Sequence, residues 1–155
     1  MPDYQKLVDL IAKQTGTKFR AASKSDLAAL RALRLPDSIL NFFARHEPSG
    51  CAEGQVRLWP IAGMLEENRG LIPGAYVAPL GYVVFATTFC GDAYCFDLNV
   101  VNQENEPQIV LISHEVVRKD ITAEEAKRLA KPVAKNLYEF LEKFESVELD
   151  EDCIY

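Results

Sequence analysis

The chain has 155 residues, is 48% hydrophobic and 26% charged, and carries a formal charge of −6 from 17 basic and 23 acidic side chains. That length and composition fit one globular domain with its own core. An acidic chain repels phosphate, which disfavours general nucleic-acid binding, and it steers basic partners toward itself.

The charge is uneven. Residues 1–34 hold seven basic and three acidic side chains, a net of +4, whereas residues 35–155 hold ten basic and twenty acidic, a net of −10. The opening Met-Pro-Asp-Tyr-Gln-Lys has no basic segment followed by an apolar run. No secretory signal is visible, so the cytoplasm is the expected compartment. After Asp3, the residues Leu7, Val8, Leu10 and Ile11 recur at helical spacing, and Gly16 stops that helix. A second helical pattern starts at Ser25, read as its N-cap, with Leu27, Leu30 and Leu33 on one side. Leu35-Pro36 interrupts it, and Pro36 opens a third helix carrying Ile39, Leu40, Phe42 and Phe43 that ends near His46.

Pro48-Ser49-Gly50 reads as a turn, and Val56 to Trp59 as a short strand. A short helix is predicted from Ile61 to Asn68, with Gly70 ending it. The strongest β signal follows. Tyr82 to Ala86 is β-branched and aromatic, and Gly91-Asp92 lies where a tight reversal needs a residue tolerant of positive φ. Tyr94, Phe96 and Leu98 then share one face of the returning strand. Asn99 to Pro107 reads as a polar loop and Ile109 to Ile112 as the next strand. Thr122 to Glu125 has capping-box spacing and starts a helix, which Pro132 breaks or restarts. Val133, Leu137, Phe140, Leu141 and Phe144 form a closing apolar stripe. Helices, then strands, then helices argue an α+β fold: a central antiparallel β-sheet, a meander, flanked by N- and C-terminal helices. The whole span 1–155 is read as one domain, with an acidic C-terminal tail at about 145–155. The longest apolar stretch, around Leu80–Cys90, is too short to span a bilayer as a helix.

Reactive chemistry has little to rest on. Four cysteines stand at Cys51, Cys90, Cys95 and Cys153, with no Cys-x-x-Cys pair, and the two histidines are His46 and His114. That spacing gives no zinc signal, and in a reducing compartment scattered cysteines are most simply free thiols. Cys90 and Cys95 flank the hairpin turn, so a redox pair across it, and with it a thiol-dependent enzyme, stands as the alternative from another class. A single histidine needs a partner before it can act in catalysis, and the sequence places none for either. There is no glycine-rich phosphate loop.

The order of motifs resembles the SUKH superfamily, of the Smi/Knr type. Leu35-Pro36, Ile39 and Phe42-Phe43 resemble its Leu-Pro helix. Leu58, Met64-Leu65 and Glu67-Asn68 resemble its strand and short helix ending in Asn. Gly91-Asp92, Tyr94 and Phe96-Asp97-Leu98 are similar to its central hairpin, and Leu137, Phe140 and Leu141 to its closing helix. Glu47-Pro48-Ser49-Gly50 stands where the family commonly has Asn-Gly-Gly. The resemblance implies a domain that works by binding, with no shared catalytic residues, cofactor or metal. Many bacterial members are immunity proteins that neutralise a toxin, often a nuclease; others are intracellular, and fungal relatives act in regulation. The expected partner is therefore a protein with a basic surface, such as a toxin domain, met at Glu66, Glu67, Asp92, Glu104 and Glu106. A housekeeping interaction module is the alternative within the binding class.

Overall fold

The computed structural model describes residues 3–149. Three helices open the chain: α1 (Tyr4–Thr15), α2 (Lys24–Arg31) and α3 (Asp37–Arg45). Asp3 caps α1 by accepting the Gln5 amide, and Gly16 closes it at a φ of 70°. The N-cap of α2 is Ser23, whose hydroxyl accepts the Asp26 amide, two residues before the Ser25 expected from the sequence. Pro36 is the N-cap of α3 and not its first residue. Two short strands, β1 (Phe19–Arg20) and β2 (Glu47–Pro48), pair antiparallel and tie the α1–α2 connection to the end of α3.

The main sheet is a six-stranded antiparallel meander in chain order: β3 (Ala52–Glu53), β4 (Arg57–Leu58), β5 (Tyr82–Thr87), β6 (Ala93–Val101), β7 (Pro107–Ile112) and β8 (Lys131–Ala134). Between β4 and β5 lie α4 (Ile61–Arg69), α5 (Gly74–Val77) and a 3₁₀ turn at Ala78–Leu80. Helix α6 (Ala123–Leu129) precedes β8 and α7 (Leu137–Glu145) follows it. The α+β meander expected from the sequence is the fold observed.

Both faces of the sheet are covered, which explains why β5 is buried along its whole length. One face carries the larger core, where Phe85 and Phe96 stack at 4.2 Å and Phe140 of α7 meets Phe85 at 4.9 Å and Tyr94 at 5.0 Å, edge-on. The other face carries Tyr82, Val84, Cys95, Val110 and Ile112 under Val77 and Ala126. A register shift between Val84 and Ala86 lets Phe85 and Ala86 both reach the larger core. Gly91 adopts the expected positive φ, 98°, in the turn.

Three sequence expectations change. Strand β6 runs on to Val101, so the polar loop shrinks to 102–106. Pro132 does not interrupt a helix: it sits in β8, an edge strand, where a missing amide donor is tolerated. Val133 is therefore a strand residue, and its carbonyl accepts Lys143 Nζ at 2.6 Å.

Helix α4 is fixed at both ends. Neither Pro60 nor any local side chain caps its N-terminus. Instead the buried Glu47 carboxylate, from β2, accepts the Ile61 amide at 2.9 Å. At the other end, Asn68 donates to the Met64 and Val84 carbonyls and accepts the Val84 amide, each at 2.8 Å. The helix connection is tight enough there that only glycine fits at Gly74, where a Cβ would stand 2.1 Å from the Glu67 carbonyl oxygen. Replacing Asn68 by Ala leaves the Val84 amide and carbonyl unpaired in the interior, and should lower unfolding free energy by about 2–4 kcal/mol in urea titration. A loss below about 0.5 kcal/mol would show that the side chain carries no structural role.

Candidate functional site

The loop 102–106 is built to hold its shape. Asn102 Oδ1 accepts the Glu104 and Glu106 amides at 2.9 Å, and Asn102 Nδ2 donates to Glu106 Oε1 at 3.0 Å. Ser38 of α3 donates to the Asn105 carbonyl at 2.7 Å, and Asn136, the N-cap of α7, donates to Glu106 Oε1 at 3.5 Å. The loop is thereby fastened to two helices, while Glu104 and Glu106 Oε2 keep no partner among the described residues.

Across from this loop, the start of α1 and the end of α3 complete a cleft of about 920 Å³. Its floor is aromatic. Tyr4 meets Phe42 at 4.9 Å and Tyr138 at 5.4 Å, and Phe42 meets the His46 ring at 5.4 Å. Its rim holds the carboxylates of Asp3, Glu104 and Glu106 against one cation, Arg45. Burial, then the charge of Glu106 and then Tyr138, push the Tyr4 hydroxyl well above its ordinary pKa, so it stays protonated. His46 is only 8% exposed. Burial first and the Arg45 charge second hold its pKa below the usual 6.5, against the pull of Asp9 and Asp3.

A second groove, of about 590 Å³, runs between α1 and α7 and shares Asp3 with the first. Glu139, Glu142, Glu145 and Glu148 line it, against Lys6 and Lys143. Lys143 is already engaged by Val133 and lies 3.7 Å from Glu139. Leu10, 44% exposed, adds an apolar side chain to the wall. The end of the described chain is held against this face by Gln55, which accepts the Leu149 amide at 2.8 Å and donates to its carbonyl. Asp150, Glu151 and Asp152 of the expected tail lie outside the described residues.

The carboxylates singled out from the sequence are put to different uses. Glu104 and Glu106 line one cleft. Glu66 is exposed on α4, but its neighbour Glu67 is buried, and burial first, then Glu66, raise its pKa against the pull of Arg57. Asp92 clips the β5–β6 turn to the end of β7: its Oδ1 accepts the His114 amide at 3.1 Å and lies 2.8 Å from His114 Nδ1. Asp3, Tyr4 and His46 are cleft residues that no sequence pattern groups, because the fold joins them to residues near position 104.

The thiols also divide. Cys95 is free and fully buried in the second core, and burial pushes its pKa far up. Cys51 is free and half-buried, its pKa raised by burial and then by Glu53, against Arg57. Cys90 is disulfide-bonded, contrary to the expectation of free thiols throughout. Cys95, by contrast, lies in the sheet interior and makes no bridge across the turn. Beside Cys90, Phe89 is 49% exposed and stacks under the Arg57 guanidinium at 4.6 Å. Among the described residues, no three His, Cys, Asp or Glu side chains stand together as a metal site, and no helix is long and apolar enough to cross a membrane.

The model of the SMI1/KNR4 family, SUKH-1, matches residues 22–143, and the chain belongs to that family. No curated protein matches the chain. The matched span runs from the approach to α2 into α7, so α1, which walls both clefts, lies outside it.

The buried imidazole gives the first cleft a pH signature. A histidine kept neutral by the fold contributes stability that is complete above the unfolded pKa of about 6.5 and is lost as pH falls through the depressed folded value. Unfolding free energy measured from about pH 7.5 to 5 should therefore drop more steeply for the native chain than for His46→Phe, which keeps the ring packing without the titration. Parallel curves would contradict this.

Proposed function

We propose that this SUKH-1 chain is a non-catalytic, cytoplasmic binding domain that takes a basic protein on the face made by α1, α7 and the loop 102–106, and that the partner is a toxin which it neutralises. The observation that carries this reading is the run of carboxylates across two adjoining clefts: Asp3, Glu104 and Glu106 on one, Glu142, Glu145 and Glu148 on the other. A concave acidic surface raises the encounter rate of a basic partner and orients it before contact. Family membership fits, since the family includes immunity proteins.

The contact set differs from the one the sequence suggested. Glu104 and Glu106 stay in it; Glu67 and Asp92 leave it, because burial and the His114 clip commit them to the fold; Glu66 lies on α4, away from the residues that line the two clefts. The non-catalytic part of the reading is supported by the thiols. Raised pKa values keep Cys51 and Cys95 protonated, and a protonated thiol is a poor nucleophile.

Co-expression with the product of an adjacent toxin gene tests the proposal. Cells should survive only when this chain is present, and the two proteins should co-purify. The double variant Glu142→Lys with Glu145→Lys should slow association about tenfold at low salt, with the gap narrowing as salt rises. Equal cell death with and without the chain, and no complex, would overturn the immunity role; capture of a resident cellular protein as the sole partner would favour a housekeeping module instead.

A further inference from the structure

The first cleft is more than an acidic surface, because its floor is aromatic and its rim is carboxylate. We infer that it is an anchor pocket for a single arginine side chain of the partner, stacked on the Tyr4–Phe42–His46 wall and held at its rim by Glu104 and Glu106. This rests on the binding-domain reading and specifies what that face selects.

Three features support it. A guanidinium is planar and weakly hydrated, so it stacks on aromatic rings while its fork of donors reaches carboxylates; an ammonium does the second but not the first. The carboxylates are ready for it. Glu106 Oε1 is held by Asn102 and Asn136, which fixes the group, while Oε2 has no partner among the described residues. The third feature is His46. Its ring lines the cleft, is nine-tenths buried, and no described residue hydrogen-bonds either nitrogen. Its ring nitrogens keep some accessible surface, so they stay open to a donor that enters the cleft. A neutral imidazole offers one acceptor nitrogen, which suits a ligand made only of donors. Arg45 opposes any cation, but three carboxylates, of Asp3, Glu104 and Glu106, line the same cleft. Anchors of this kind, an arginine seated in a desolvated pocket, are where binding energy concentrates.

The test uses the full chain and three blocked tripeptides that differ only in the central residue: arginine, lysine or the uncharged arginine isostere citrulline. Ring resonances of His46 and Tyr4 are followed by NMR during titration. The arginine peptide should shift both rings and bind about fivefold more tightly than the lysine peptide. The citrulline peptide should not bind measurably. Glu104→Gln, an exposed loop change, should weaken the arginine peptide severalfold, while Glu115→Gln, outside the cleft, should leave it unaltered. Equal affinity for lysine and arginine would overturn the arginine pocket and leave the basic-partner reading standing. Shifts confined to the α1–α7 groove, or no arginine binding, would overturn it also. The basic-partner reading itself stands or falls on the co-expression result and not on these peptides.

Discussion

The clamp between Asn68 and Val84 is the constraint on which the layering depends. Strand β4 pairs with β5 through Arg57 and Leu58, the Trp59 amide reaches the Phe85 carbonyl, and Pro60 has no amide with which to continue the ladder. The β5 edge would therefore be open at Val84, in the interior. Asn68 fills the gap with its carboxamide, which matches a backbone peptide group in donor and acceptor. Glu47 fixes the other end of the same helix from β2, and β2 pairs with β1 beyond α1. One helix thus joins the sheet to the helical layer. The clefts inherit their geometry from that joint, since their walls are α1, α3 and α7 packed over the larger core.

The sheet in turn explains which parts of the sequence were legible. An alternating strand announces one wet face, and the unbroken apolar run of β5 announces two dry ones; the second core under α5 and α6 supplies the extra cover. Helices α1 and α7 are readable because periodic apolar residues mark one buried face, and in α1 Asp3 and Gly16 bracket that run. What escaped reading has specific causes. Strands β1, β2 and β3 are two residues each and carry no periodicity. Strand β8 contains Pro132 and Lys131 in a position whose exposure only the sheet order reveals. The site was half visible. Glu104 and Glu106 stand out as acids in a polar loop, but their cleft exists only because α1 and α3 fold against that loop, joining residues about a hundred positions apart.

The departure at Glu47-Pro48-Ser49-Gly50 from the family's usual Asn-Gly-Gly also gains a physical meaning. A glycine-rich turn leaves that connection pliant; here a carboxylate from the same place caps α4, and Pro48 joins a strand. Rigidity on this side of the molecule favours a preformed surface over one that moulds to its partner, which reduces the ordering cost of association.

The central claim is that a basic protein is met on the α1–α7 face and the loop 102–106. Amide hydrogen exchange on the isolated complex measures this directly. The account predicts new protection in the first turns of α1, in residues 102–106 and along α7, with the β3–β4 edge and the turn at 89–92 unchanged. Protection confined to that edge and turn, with α1 and α7 exchanging as in the free chain, would contradict it.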